Sequence, residues 1–409
     1  MTKLRWINFF HLYQPPRWRP AVIKLVARQS YRPFFRYLKT HPNIRLTVNL
    51  TGALTEQLDR LGEAEILATI RLLLQRGQIE LTGSAIYHPI LPLIPVAEAK
   101  RQIILNTIAN QKVFGDLYRP KGFFFPEMAY SQTVAKLAAR LGFTWTILDE
   151  ITTGPLGQID LAQSYKITGT PLTAVFRNRW LSDLFFMTEL KNARAFWERR
   201  AHDPRTRRML TTACDGENLG HHNPTLLRTW RQLVSDPRVE TTTVSAWING
   251  LPTKRAIQLR PSSWAARETE LESRQPYFLW QDKTNPIQKY QWQMTKILLT
   301  ASQSHALSNP LRLRLDQLLA SDQYWWASAS PWWDTHIVIR AASASAKFAT
   351  SLYRAHHLSR QQYLDSQGLY KNIINTVRSW QRSGEARERH LKYLAAEPFA
   401  RYFGGQKVN

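Results

Sequence analysis

A single cysteine, Cys214, stands in a chain of 409 residues. No intrachain disulfide can form, and a cytoplasmic location is the expectation. No apolar run is long enough to span a bilayer. The first hydrophobic stretch, residues 4–10, runs straight into polar His11 with no small-residue cleavage site, so it does not read as a secretion signal. Acidic residues are scarce: 30 Asp and Glu stand against 55 Lys and Arg, a net charge of +25. Such a balance attracts polyanions, so an anionic surface or polymer enters as a partner suggested by charge alone. The basic residues are spread along the chain and carry no specific nucleic-acid-binding signature, so a generally basic surface is the plainer reading. The HExxH pattern and the His-x-Asp pair are both missing. His221 and His222 are adjacent and point different ways in regular structure, so neither a metal nor another cofactor is expected. No internal repeat is visible.

What remains is an ordinary globular composition, 44% hydrophobic and 21% charged. The first ~250 residues alternate short β-rich runs with amphipathic helical stretches, as a parallel α/β fold does. Strands are expected at residues 4–10, 44–50, 78–81, 122–125, 144–148, 208–213 and 239–244. Helices are expected between them, at 63–75, 98–114 and 132–141. Beyond residues 251–261 the pattern becomes helical, at 286–303, 309–320, 333–357 and 360–382. Two domains follow: 1–250, α/β, and 251–409, helical.

Polar groups concentrate where the strands end. The first strand runs into HLYQPP, the third into ELTGSAIYHPILPLIP and the fourth into GFFFPEMAYS with Glu127. The fifth ends at Asp149 and Glu150, and a later one at CDGENLGHHNP with Asp215 and Glu217. In barrel-type α/β folds the catalytic groups project from these strand ends. Glu127 follows three phenylalanines and Pro126, and a carboxylate beside so much apolar surface is costly without a partner or a task. Two carboxylates facing each other across a bond suit glycoside cleavage. One attacks or activates water, and the other, with a raised pKa, protonates the leaving oxygen. On residue types alone, Asp149, Glu150 and Glu217 rival Glu127 and Asp215 for either role. His11 could bind a sugar hydroxyl or a metal, and a lone His at a strand end is more often a hydrogen-bonding group than a ligand. Aromatics are abundant (15 Trp, 15 Tyr, 17 Phe), and SDQYWWASASPWW, residues 321–333, holds four of the tryptophans. That cluster reads equally well as helix packing and as a sugar-stacking surface, with Trp325 and Trp326 beside Asp322 the better candidates for the latter.

HLYQPP, the 80–95 stretch, FFFPEMAYS, CDGENLGHH and SDQYWWAS occur in an order that resembles the five signature regions of glycoside hydrolase family 57. FRNRWLSDL, residues 176–184, resembles that family's connecting region. The resemblance covers about residues 4–335 and implies a distorted (β/α)7 barrel followed by a helical domain that helps to close the site. It implies a retaining mechanism on α-glycosidic bonds of starch- or glycogen-like glucans, by hydrolysis or by transfer as in 4-α-glucanotransferases and branching enzymes. By motif position the nucleophile falls on Glu127 and the general acid/base on Asp215. His11, Gln14, His88 and Glu217 fall on substrate-binding positions, as do Asp322, Trp325 and Trp326 from the helical domain. The resemblance implies no catalytic metal. Leu12 and Tyr13 depart from the shorter HQP of many members, and some relatives that lack a catalytic residue are inactive glycan-binding proteins.

Overall fold

The computed structural model describes residues 3–185, 190, 192–251, 255–304, 307–330 and 332–396. The chain divides into two compact units, Met1–Leu271 and Glu272–Asn409. The first therefore runs beyond the break expected after residue 250. Residues 252–254, next to that break, lie outside the described residues.

The described residues of the first unit form ten strands: β1 (Leu4–Leu12), β2 (Leu46–Leu50), β3 (Ile79–Thr82), β4 (Gly122–Phe123), β5 (Trp145–Asp149), β6 (Tyr165–Ile167), β7 (Thr173–Arg177), β8 (Met209–Asp215), β9 (Val239–Thr242) and β10 (Arg255–Ile257). Parallel pairing joins β1 to β2 and β8, β2 to β3, β4 to β5, and β5 to β7. The two sheets meet at both edges. Gly83 and Phe123 bridge the end of β3 to β4. Across the other seam the Asn178 amide donates to the Thr211 carbonyl (2.8 Å) and links β7 to β8. The result is a closed ring of seven parallel strands in the order β1, β2, β3, β4, β5, β7, β8.

The strand expected at residues 239–244 is present but is not a stave of this ring. It is β9, which pairs only with the first half of β1, from Leu4 to Ile7, while β2 takes the second half from Phe9. The seventh stave is instead β7, which the pattern reading missed. The wedge of β9 at the bottom and the missing eighth stave are the distortion of the barrel. β6 runs antiparallel to β7, and β10 adds to β6.

Strands covered on both faces read as continuous apolar runs, and β1, LRWINFFHL, is buried at every position but Arg5. Its parity still sorts the side chains. Trp6, Phe10 and Leu12 point outward into the layer shared with helices such as Arg32–Thr40, Ala64–Gln75 and Leu226–Val234. Ile7 and Phe9 point inward and pack with Trp145, Ile147, Val175, Met209, Ala213 and Phe124. The barrel is therefore filled below, and only its upper end is available for polar groups.

The second unit is helical, with main helices at Pro286–Ser304, Asn309–Leu318, Thr335–Arg354, Arg360–Ser383 and Glu385–Ala396. Local rules set the ends of the longest: Ser359 and Gln362 form a reciprocal capping box, and Gly384 closes it in the left-handed conformation. No helix among the described residues is long and apolar enough to cross a membrane.

Candidate active site

Strand parity places one residue of each neighbouring stave at the same height inside the barrel mouth. Register pairs His11 with Asn49 and with Asp215, Asn49 with Thr82, and Asp149 with Arg177. Each of these continues the inward face of its strand. The strand ends named from sequence thus converge on one ring.

Glu127 follows β4 in a left-handed conformation (φ 58°), as do Met128 (φ 46°) and His88 (φ 56°). Such angles are uncommon outside glycine and cost about 1–3 kcal/mol each, and they recur where a site over-determines its backbone. Trp264, from the loop that follows β10, grips Glu127 twice. Its indole Nε1 donates to Glu127 Oε2 (2.7 Å), and its backbone amide donates to the Glu127 carbonyl (3.1 Å). His88 Nδ1 lies 3.6 Å from Glu127 Oε1. Burial, aided by His11, holds the His88 pKa well below its usual value, so the two do not form an ion pair at neutral pH.

His11, His88, Tyr13 and Phe124 form a ring stack: His11–His88 4.7 Å, Tyr13–His88 4.4 Å, His11–Phe124 4.8 Å. The Asn49 amide is oriented by its donation to Thr82 Oγ1 (3.0 Å), so its carbonyl faces His11 Nδ1 at 2.8 Å. Nδ1 is then the protonated nitrogen and Nε2 carries a lone pair. That Nε2 is buried with no hydrogen-bond partner among the described residues. Burial drops the His11 pKa to about 4, so the ring stays neutral and presents an acceptor.

Asp215 ends β8. No hydrogen bond or ion pair from the described residues reaches its carboxyl. Burial pushes its pKa well above the usual carboxylate range; the charges of Glu217 and then Glu127 push it further, against the pull of Arg177. Glu217, two residues on, is heavily bonded: Tyr31 Oη, Gln14 Nε2 (2.9 Å) and the Tyr13 amide (3.4 Å) all donate to its Oε1. Gln14 also donates to Tyr31 Oη (3.1 Å). Burial raises the Glu217 pKa, while these donors favour its charged form. Tyr31 belongs to a π-helical turn, Ala27–Tyr31, and Ser30 Oγ of the same turn donates to the Gly216 carbonyl (2.7 Å). The loop after β8 approaches this turn so closely that a Cβ on Gly220 (φ +113°) would lie 2.4 Å from the Gln29 carbonyl oxygen.

The two rivals on β5 are committed elsewhere. Asp149 accepts from Arg177 Nε (2.5 Å), Arg179 Nε (2.9 Å) and the Ile151 amide (3.0 Å). Glu150 accepts from Arg205 Nη1 (2.6 Å), the Arg179 amide (2.9 Å) and the Gly157 amide (3.3 Å). Arg177 also donates to the Ala213 carbonyl (3.0 Å), pairs with Asp183 (3.0 Å) and lies 5.6 Å over the Trp264 ring. It ties the ends of β5, β7 and β8 to the Trp264 loop.

Six of the expected site residues, His11, Gln14, His88, Glu127, Asp215 and Glu217, therefore share the barrel mouth. Asp322, Trp325 and Trp326 belong to the second unit. There Tyr324 is buried against Trp292 (4.1 Å, parallel), and Gln288 and Gln291 donate to the carbonyls of Tyr324 and Gln323. Asp322, Trp325 and Trp326 keep partial exposure. Three residues of the site are not among the sequence candidates, Trp264, Tyr31 and Asn49, and Arg177 enters only within the segment FRNRWLSDL. The one local signal was Arg177, a cation closing the apolar run TAVF.

A model of "Glycosyl hydrolase family 57" matches residues 5–260. The α-amylase of Pyrococcus horikoshii is 29% identical over 150 residues, which is 37% of this chain and 23% of that protein. The chain thus matches under a quarter of the length of that curated relative. Among solved structures, a GH57 branching enzyme from Thermococcus kodakaraensis superposes with a TM-score of 0.67 at 17% identity, covering 92% of this chain and 96% of that one. The 4-α-glucanotransferase from Thermococcus litoralis superposes at 0.66 and 18% identity, covering 86% and 60%.

Proposed function

This chain belongs to glycosyl hydrolase family 57, and from that premise we propose that it is a retaining enzyme of α-glucans, with Glu127 as nucleophile and Asp215 as general acid/base. The observation that carries the reading is the contrast in charge supply around the ring. Asp215 has no cation bonded to it among the described residues, and its raised pKa keeps a proton available. Glu127 is oriented by the Trp264 indole.

In the first step Glu127 attacks the anomeric carbon while Asp215 passes its proton to the departing oxygen. Esterification removes the Glu127 charge, one of the causes of the raised Asp215 pKa. Asp215 then becomes a stronger acid as its task changes to accepting a proton from water or from a sugar hydroxyl. Burial, with the negative charge of Glu217 held by Tyr31 and Gln14, keeps Asp215 protonated at the start. His11 Nε2 is placed to accept a hydrogen bond from a sugar hydroxyl. Trp325 and Trp326 offer indole faces suited to sugar C–H surfaces, with Asp322 beside them. The single, buried Cys214 accords with a cytoplasmic enzyme.

The test is incubation with maltoheptaose followed by product analysis. Shorter sugars only indicate hydrolysis, a ladder of longer ones transfer, and branched products a branching activity. Glu127→Gln should abolish all three. A product of inverted anomeric configuration, or undiminished turnover in Glu127→Gln, would overturn the reading.

A further inference from the structure

On the outer layer of the first unit, a cavity of about 440 Å³ is lined by four arginines, Arg28, Arg32, Arg36 and Arg231. Positions 28, 32 and 36 are four apart, so the π-turn Ala27–Tyr31 and the helix Arg32–Thr40 bring them to one side. Arg231 comes from the helix Leu226–Val234. Its guanidinium lies 4.7 Å over the Tyr37 ring, and its Nη2 donates to the Pro33 carbonyl (2.7 Å).

Crowded like charges are unfavourable without counter-charges, and here the counter-charges are incomplete. Glu65 takes a bidentate pair from Arg36 (2.6 and 2.9 Å) and lies 3.5 Å from Arg32, which also bonds Glu63. Neither Arg28 nor Arg231 is paired with a carboxylate among the described residues. Arg231 Nε is buried with no hydrogen-bond partner among them. A buried guanidinium N–H without an acceptor is unfavourable, and here it belongs to an arginine whose charge also lacks a carboxylate. The Tyr37 ring already carries Arg231 and, at 3.9 Å, His41. It offers no free aromatic wall, so recognition here rests on charge and not on stacking. The planar fork of arginine matches phosphate oxygens two at a time.

We propose that this cavity binds a phosphate dianion, either free inorganic phosphate or the phosphate of a small sugar ester. The site is separate from the carboxylates of the barrel mouth and does not rest on the glycosidase reading. The test is isothermal titration of the full chain with inorganic phosphate and with glucose 6-phosphate at fixed ionic strength in chloride. One saturable site is expected, with affinity at least tenfold weaker in Arg28→Ala and in Arg231→Gln. Arg28 is exposed, so Arg28→Ala keeps the test decisive even where loss of the Arg231 packing unfolds the protein. Tighter binding of glucose 6-phosphate identifies a sugar ester; equal affinity identifies free phosphate. No saturable binding of either anion, or unchanged affinity in Arg28→Ala, overturns the proposal, the latter by moving the anion elsewhere on a surface of net charge +25.

Discussion

Two staves of the same barrel end in a pair of acids, and the pairs live under opposite electrostatics. At the end of β5, Asp149 and Glu150 are met by Arg177, Arg179 and Arg205. At the end of β8, Asp215 and Glu217 have no arginine or lysine within ion-pair distance among the described residues; Glu217 is held by a phenol and an amide instead. Residue type and strand position are alike. What separates an acid that braces the barrel from one fit to exchange a proton is the supply of positive charge around it.

The comparison can be broken most directly on β8. Asp215→Asn should cut turnover by roughly 10²–10⁴-fold, the usual contribution of a general acid/base, measured on maltoheptaose. The same variant should not lose stability. A buried acid with a raised folded pKa lends stability that is complete below the usual carboxylate range and is lost as pH rises through the folded value. The neutral amide escapes that loss, so its melting temperature relative to wild type should climb with pH. Asp149→Ala should do the reverse. It leaves Arg177 and Arg179 buried without their shared carboxylate and should cost about 3–5 kcal/mol of folding stability in a denaturant titration.

Trp264→Phe sharpens the comparison from the Glu127 side. It keeps the ring and removes the donor to Oε2, and it should lower kcat/KM by about 10–100-fold, the worth of a hydrogen bond to a charged group. The smallest expected effect is in Glu217→Gln. Removing that charge lets the Asp215 pKa fall, so the alkaline limb of the pH–activity profile should move to lower pH. An unmoved limb would mean that Glu217 only positions Tyr31 and Gln14.

Much of the fold could be read along the chain because strands buried on both faces are short apolar runs; six of the seven staves are such runs, and five of them end in polar motifs. β7, Thr173–Arg177, is not legible because it begins just after the turn-like TGTP. Residues 239–244 read as a strand and form one, but VETTTV carries no local mark that it covers only half of β1. The site was legible to the extent that its residues sit at strand ends. Which of the five acids carry arginine partners was not legible from residue types, because the arginines that meet Asp149 and Glu150 come 28 to 55 positions later. Trp264 lies 137 positions after the carboxylate that it orients, in an irregular loop with no periodic pattern. Such long-range pairings leave no trace in local sequence.

The π-helical turn at Ala27–Tyr31 joins two otherwise separate surfaces through the chain itself. One side of it bonds Glu217 and Gly216, and the other carries Arg28 to the arginine cavity. A π-turn holds one residue more than an α-turn. Deleting any residue there would remove the extra residue and with it the turn that presents Ser30 and Tyr31 on one side and Arg28 on the other. The segment can exchange its letters far more readily than it can change their number, so its length is itself part of the specification of the site.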